Sequence, residues 1–323
     1  MNFSKLDSDR FQLNIFRDNY EQLPADLLNQ LIENKVDIGI LRLNTKEQAS
    51  LNLLDNMGLP FIVADTLVEY IAKTSAPKEL KLLNKDIEVL EAHTESDWKE
   101  VDRMVELCFS NYSNHYFSNP YLSKIGNIEG YKEWSRNCSG DKGVTYIVKS
   151  NSVAAGFFSI GFKGDLADGG PGGIIPAFEG SGLYLDFHKM LPQLIFQKGL
   201  KRLKTSTQIQ NTLVQRQWNM SGWMLSHSWV TLHVNTFIQE AMKGSNTTSN
   251  YQHSNTISFI DSIQPLAAYN SIQMHQLHPL VENASYTVHI SHEIKNYNNN
   301  SSIRSVVIED ATNKIQVLAW LKA

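Results

Sequence analysis

A chain of 323 residues with 42% hydrophobic and 19% charged side chains has the composition of a folded protein with length for two or three domains. Its 29 basic and 33 acidic residues leave a formal net charge of −4, which excludes nucleic-acid binding through a broad basic field. A polar start and short apolar runs predict neither a signal peptide nor a membrane span, and Cys108 and Cys138 lack metal or disulfide-framework spacing, so a cytoplasmic protein without a metal is expected.

In chain order, residues 20–34 read as an amphipathic helix with Leu23, Leu27, Leu28, Leu31 and Ile32 on one face. Residues 36–43 read as a strand, and Thr45 is expected to cap a helix that Gly58 stops. Residues 61–71 are extended, and a polar link over 74–85 follows. Residues 87–92 predict a strand, and Thr94 with Asp97 forms a loose capping box for a helix to Cys108. Residues 111–124 are a loop dense in aromatic and turn-forming residues, and a short helix is expected over 128–137. Tyr131 and Trp134, three apart on that helix, read as core. Strands over 144–149 and 153–162 form a hairpin around Ser150-Asn151-Ser152. The glycines of 169–173 suit a bulged strand whose backbone approaches a ligand.

Next comes Glu179-Gly180-Ser181-Gly182-Leu183-Tyr184, followed by an apolar helix. A strand, a Gly-x-Gly turn and a helix start make a phosphate cradle, because orphan N–H groups and the positive helix end point at the anion. A strand then ends in Thr207-Gln208-Ile209-Gln210-Asn211, a second helix carries Trp218 and ends at Gly222-Trp223, and a strand holds Thr231-Leu232-His233. Lys198, Lys201, Arg202 and Lys204 form a local basic patch suited to a diphosphate. Beyond residue 242 the chain reads as a linker over 243–255, a helix over 262–276, and an antiparallel meander (285–293, 303–308, 314–321) with one polar face.

This succession resembles the GNAT superfamily of acyltransferases, and more closely the bacterial nucleotide-amino-sugar N-acetyltransferases of the TDP-fucosamine type. The segment from Leu54 through Pro60-Phe61 to Asp65-Thr66-Leu67 is similar to the small N-terminal domain of the same enzymes. The resemblance implies an α/β (α+β) GNAT fold with a mixed central sheet: a small αβ domain over 1–85, the acyltransferase core over 86–242, and a C-terminal helix-plus-meander module over 243–323. It implies an acyl-CoA co-substrate, acetyl-CoA or a longer acyl-CoA, and direct attack by the amine of a nucleotide-linked (dTDP) amino deoxysugar, for surface polysaccharide synthesis. A homodimer is a further expectation. Rival readings are acylation of a protein, peptide or small amine, and CoA binding without catalysis.

On the same basis Gly180, Ser181, Gly182, Leu183 and Tyr184 hold the pyrophosphate, and Ile174 and Ile175 pair with pantetheine as a false strand or are a plain buried strand. Asn211 bonds pantetheine or caps the next helix, and Asp168 is the general base or a solvated turn residue. His115 is the other base candidate, since its ordinary pKa suits proton transfer near neutrality. Many family members carry a tyrosine acid at the place of Trp218, which here packs against the acyl group or in the core. Tyr112, Tyr116, Phe117, Asn119 and Tyr121, with His233, are candidates to bind the nucleotide sugar, or the loop folds into a satellite core.

Overall fold

The computed structural model describes residues 1–122, 127–250, 271–278, 280, 284–295 and 301–323. Strand β1 (Asn2–Phe3), helix α1 (Lys5–Phe11) and strand β2 (Ile15–Tyr20) precede the first element expected from sequence. Helix α1 buries Asp7, a charged residue where an amphipathic helix would place an apolar one, so its period is silent. Helix α2 (Leu27–Glu33) buries Leu27, Leu28 and Leu31, and strand β3 (Ile38–Asn44) follows. Asn44, not Thr45, caps the next segment by accepting from Lys46 N at 3.0 Å. A 3-10 stretch (Thr45–Ser50) leads into helix α3 (Leu51–Asn56).

Strand β4 (Phe61–Lys73), strand β5 (Ile87–Glu91) and helix α4 (Glu95–Phe109) come next, the last with both arms of the Thr94/Asp97 capping box formed. Helix α5 (Asn127–Asn137) precedes the hairpin of β6 (Gly143–Ser150) and β7 (Val153–Lys163), closed by left-handed Asn151 and Ser152. Strand β8 (Leu166–Ile174), helix α6 (Leu183–Gln197), strand β9 (Arg202–Gln208), helix α7 (Thr212–Met220) and strand β10 (Met224–Asn235) complete this part.

Helix α8 (Ile238–Lys243) and strand β11 (Ser245–Asn250) stand where the linker was expected; residues 251–255 lie outside the described residues. Residues 271–276 of the expected helix are strand β12 (Ser271–Gln276), and 262–270 lie outside the described residues. Strands β13 (Ser285–Ile290), β14 (Ile294–Lys295), β15 (Ser302–Asp310) and β16 (Ile315–Lys322) form the expected meander.

These elements pack as two compact units, and neither is continuous in sequence. The first comprises Met1–Asp65, Asn114–Lys124 and Trp229–Ala323; the second comprises Thr66–Ser113 and Ile125–Ser228. The C-terminal module therefore shares a unit with the N-terminal elements instead of standing as a third consecutive body.

In the first unit β2 runs parallel to β3, and β3 antiparallel to β10 from Trp229↔Asn44 to Asn235↔Ile38. A second, antiparallel sheet has the order β11-β13-β15-β16-β12. Ile303, Val307, Leu318 and Trp320 of that sheet join Leu27, Leu31, Ile40 and Leu232 in one core. The opposite face carries Val306, Ile308, Val317 and Leu321, packed with Tyr286 and Val288. Both faces of β15 and β16 are thus apolar, which corrects the expected polar face. Trp320 is also held by its Nε1, which donates to Thr236 O at 2.8 Å.

In the second unit the strand order is β4-β9-β8-β7-β6-β5, antiparallel throughout except between β8 and β9. Helices α6 and α7 cover one face through Phe158, Phe187, Leu191, Trp218 and Trp223. Helix α4 packs on the other through Val101, Met104 and Val105 against Ile147 and Phe157. This is the α/β architecture with a mixed sheet that the family resemblance implied.

Candidate active site

The site begins where two parallel strands separate. Strands β8 and β9 pair only through Leu166↔Arg202, Ala167↔Leu203 and Asp168↔Lys204, yet β8 continues to Ile174 and β9 to Gln208. Past Asp168 the β9-facing backbone edge of β8 has no ladder partner in β9, which leaves a slot in which an extended ligand can pair. The expected bulge is present, between Phe158 and Ile160 of the β7 partner.

The glycines of β8 are also required by the protein's own packing. A Cβ on Gly169 would come 2.6 Å from Thr205 Oγ1, one on Gly172 2.5 Å from Phe158 Cδ1, and one on Gly173 3.2 Å from Cys108 Sγ. Neighbouring side chains of the protein itself press on the strand from both faces. Ile174 pairs with Gly156, and the N–H of buried Ile175 donates to Ala155 O at 2.9 Å, so Ile175 N is not free to polarise a thioester.

At the end of β8, Gly180 and Gly182 adopt left-handed φ angles of 76° and 84°, and Gly182 is the N-cap of α6. Side chains other than glycine resist that conformation. Ser181 Oγ takes the N–H of Leu183 at 3.3 Å, and Asp186 N bonds Gly182 O at 3.0 Å. Among the described residues no acceptor meets the N–H groups of Gly182, Tyr184 or Leu185. Orphan donors on the positive end of a 15-residue helix favour an anion.

Asp186, in the first turn of α6, is fully buried and faces away from that role. Its carboxylate accepts from Leu83 N at 2.9 Å, Asn84 N at 2.8 Å and Asn84 Nδ2 at 2.8 Å. Leu83 consequently lies over Gly182, where a Cβ would come within 2.6 Å of Leu83 Cδ1. The turn is clamped by the link segment before β5.

Asn211 caps α7 by accepting from Val214 N at 3.5 Å, and its amide donates to Thr207 Oγ1 at 3.1 Å. Trp218 is buried, 5.2 Å from the ring of Tyr70 and 6.3 Å from that of Trp223. Tyr184 stacks on His188 with 4.3 Å between ring centroids. The basic patch is largely neutralised: Lys198 pairs with Glu91 at 2.7 Å, Arg202 with Asp165 at 2.6 Å, and Lys204 with Glu69 at 3.1 Å. Asp168 is a strand residue, not a turn residue; its half-exposed carboxylate lies 3.4 Å from Lys204 Nζ.

The aromatic loop is divided between the two units. Tyr112 stays in the second, edge-on to Phe109 at 5.3 Å. His115, Tyr116, Phe117, Asn119 and Tyr121 belong to the first. There Tyr116 bonds Asp7 Oδ1 at 2.6 Å and also Arg17, which in turn pairs with Asp7. Asn119 Nδ2 reaches Asn235 Oδ1 at 2.8 Å and His233 Nδ1 at 3.1 Å, while His233 Nε2 lies 2.8 Å from His115 Nδ1. An amide N–H₂ facing His233 Nδ1 assigns that imidazole's proton to Nε2, so His233 donates to His115. Tyr121 packs edge-on to Phe237 at 5.3 Å, and Tyr116 and Leu122 join the core.

His115, Tyr116, Asn119 and His233 are buried, which is the satellite-core alternative rather than a nucleotide platform. His115 is not the near-neutral base expected: burial and the charge of Arg17 push its pKa well below the usual histidine value.

These buried imidazoles set a pH dependence. Burial, followed by the charge of Arg17, lowers His233 to about 3, and burial lowers His188 to about 4. Below pH 6.5 the unfolded chain binds protons that the folded chain refuses, so stability is present above that value and falls as pH drops. Each imidazole contributes a slope of about 1.4 kcal/mol per pH unit. Asp37 acts oppositely: burial raises it to about 6, so folding takes up a proton there between the ordinary aspartate value and pH 6. With three imidazoles, His115, His188 and His233, against one carboxyl, denaturation at pH 5 is expected to show lower stability than at pH 7. An unchanged midpoint would mean that the histidines are solvated.

Among the described residues no group of three or more His, Cys, Asp or Glu could hold a metal ion, and no helix is long and apolar enough to cross a membrane.

No protein-family model matches the sequence, and no curated protein matches it. The structure is similar to a GCN5-related N-acetyltransferase from Sphaerobacter thermophilus, with 12% identity and a TM-score of 0.46 over 61% of this chain and 59% of that one. It is also similar to a GNAT-family acetyltransferase from Colwellia psychrerythraea, with 14% identity and a TM-score of 0.40 over 65% and 72% of the two chains. A probable N-acyltransferase from Enterococcus faecalis matches 91% of this chain and 60% of its own, with 12% identity and a TM-score of 0.36. The chain thus spans about three fifths of the Sphaerobacter and Enterococcus proteins. At these identities and TM-scores the likenesses bear on no residue's role.

Proposed function

We propose that the chain is a GNAT-type, acyl-CoA-dependent N-acyltransferase. The observation that supports it most is the splay of β8 from β9 together with the left-handed Gly180/Gly182 turn at the start of α6. The free N–H groups at that helix start would hold the CoA pyrophosphate, and the open edge of β8 would pair with the pantetheine amides. Asn211 would stay a cap while its neighbourhood flanks the slot, and Trp218 would close it from the α7 side. An amine attacking the thioester forms a C–N bond as the C–S bond breaks, and orientation in the slot supplies much of the acceleration. No covalent acyl-enzyme is needed, and burial keeps both cysteine thiols protonated, with Cys108 pushed up to about 12 and Cys138 to about 11.

For the acceptor we infer a nucleotide-linked amino deoxysugar, in the dTDP series, acylated in the cytoplasm; this rests on the sequence resemblance alone. Calorimetric titration with acetyl-CoA, then with TDP on the saturated protein, tests both parts. Micromolar binding of each supports the reading. CoA without TDP transfers the acceptor to a small or peptidyl amine. No CoA binding ends the proposal.

A further inference from the structure

A row of charged and polar side chains crosses the second unit's sheet on the face away from α6 and α7. Val68, Tyr70, Ala167 and Leu203 pack beneath those helices. Strand alternation sends Glu69, Asp168 and Lys204 to the opposite face. Lys204 Nζ lies 3.1 Å from Glu69 Oε2 and 3.4 Å from Asp168 Oδ2, bridging the two carboxylates. Glu69 Oε1 accepts from Ser226 Oγ at 3.2 Å and lies 3.5 Å from His227 Nδ1.

The row is open to solvent at both ends, since the side chains of Asp168 and His227 are each 48% exposed. Beside it stands Trp134 of α5, which the sequence pattern assigned to core and which is 49% exposed. A Cβ on Gly170, two residues from Asp168, would come within 3.2 Å of the Trp134 indole nitrogen, so the ring lies over that strand. Asp168↔Lys204 is also the last rung before β8 and β9 part, so row and ring lie at the closed end of the slot.

At its centre the Glu69 and Lys204 side chains are 15% and 28% exposed, and a partly buried ion pair is weak evidence for a role in stability. Two carboxylates against one ammonium leave a single net negative charge, suited to a cation and unsuited to an anion. An exposed indole beside it offers a flat apolar face of the kind that packs on a sugar ring.

We propose that this row is the acceptor-amine subsite: Glu69 receives the substrate's ammonium, Lys204 holds that carboxylate in place, and Trp134 supports the sugar ring. The proposal rests on the acyltransferase reading and adds a residue from the first quarter of the chain to it. The ammonium gives one proton to Glu69, leaving a neutral amine and a carboxyl group. The amine lone pair then forms the C–N bond, and the C–S electron pair leaves with sulfur. The nitrogen's surplus proton goes to the thiolate, and Glu69 returns its own to solvent.

The test is calorimetric titration of the full chain with D-glucosamine, with N-acetylglucosamine as the uncharged control and acetyl-CoA titrated into the same samples. Glucosamine is expected to bind the wild type and to shift the Trp134 indole N–H resonance, assigned with Trp134→Phe. Glu69→Gln should weaken glucosamine about ten-fold or more while leaving acetyl-CoA binding intact, because a charge-assisted hydrogen bond becomes a neutral one. Trp134→Ala, an exposed site whose loss spares the fold, should weaken it several-fold. Equal glucosamine affinity in wild type and Glu69→Gln, or a wild type that does not bind it, overturns the subsite. Glu69-dependent glucosamine binding without acetyl-CoA binding upholds the subsite and removes the acyltransferase reading instead.

Discussion

Gly182→Val is expected to lower acetyl-CoA affinity about ten- to hundred-fold, the loss of one or two hydrogen bonds to a charged group. Two effects act together. The residue sits at φ 84°, where a β-branched side chain is strained. Its Cβ would also meet Leu83 Cδ1 at 2.6 Å, so the exposed Leu83 side chain must turn away from the turn it covers. The turn must open, and the N–H groups of Tyr184 and Leu185 lose their common direction. Gly199→Ala is the control: it has the same backbone sign, with φ 79°, and nothing within 4 Å of the added Cβ. That variant should cost about 1 kcal/mol of stability through strain alone and leave CoA affinity unchanged. Equal CoA affinity in the wild type and Gly182→Val would show that the turn is not the phosphate site.

Asp7→Ala is expected to destabilise the first unit by about 3 kcal/mol, measured by denaturant midpoint at constant slope. Asp7 is 2% exposed, and burial works to raise its pKa. Arg17, Tyr116 and Ser4 overcome that and hold it below the usual carboxylate range. Without the carboxylate the Arg17 guanidinium loses its counter-charge, and the Tyr116 hydroxyl loses its 2.6 Å acceptor. Only the Asp7 side of the pair is fully buried, and the Arg17 side chain, 32% exposed, recovers part of the loss from solvent. Asp7→Asn should recover part of the loss, since the amide oxygen still accepts from Tyr116. A variant as stable as the wild type would place Asp7 at the surface.

Much of the second unit was legible because its signals are local. The Thr94/Asp97 box, the Asn151-Ser152 hairpin and the Gly180/Gly182 turn each act within a few residues, and each forms where its residues stand. The first unit was not legible in the same way. Helix α1 has seven residues and hides an aspartate, so it gave no amphipathic period to read, and the meander strands β15 and β16 were read with a polar face where both faces are apolar.

Side-chain roles divided along the same line. Asn211 was read as a cap or a ligand group, and its cap is visible from position alone. Nothing within ten residues of His115 tells that His233 lies 2.8 Å away and that burial, with the charge of Arg17, suppresses its proton. Glu69 gave no signal at all, because a lone glutamate in an alternating strand is what any solvent face shows.

The sequence by itself determined the succession of strands and helices around the glycine turn, since periodicity, capping and left-handed glycines are properties of neighbours along the chain. Only the tertiary structure decided that β8 leaves β9 after Asp168, that Trp134 stands open over Gly170, and that Asp7, Tyr116 and His233 share one interior with the half-buried Arg17 at its edge. Those outcomes depend on which distant surfaces exclude water together, and burial of that kind has no spacing in the chain.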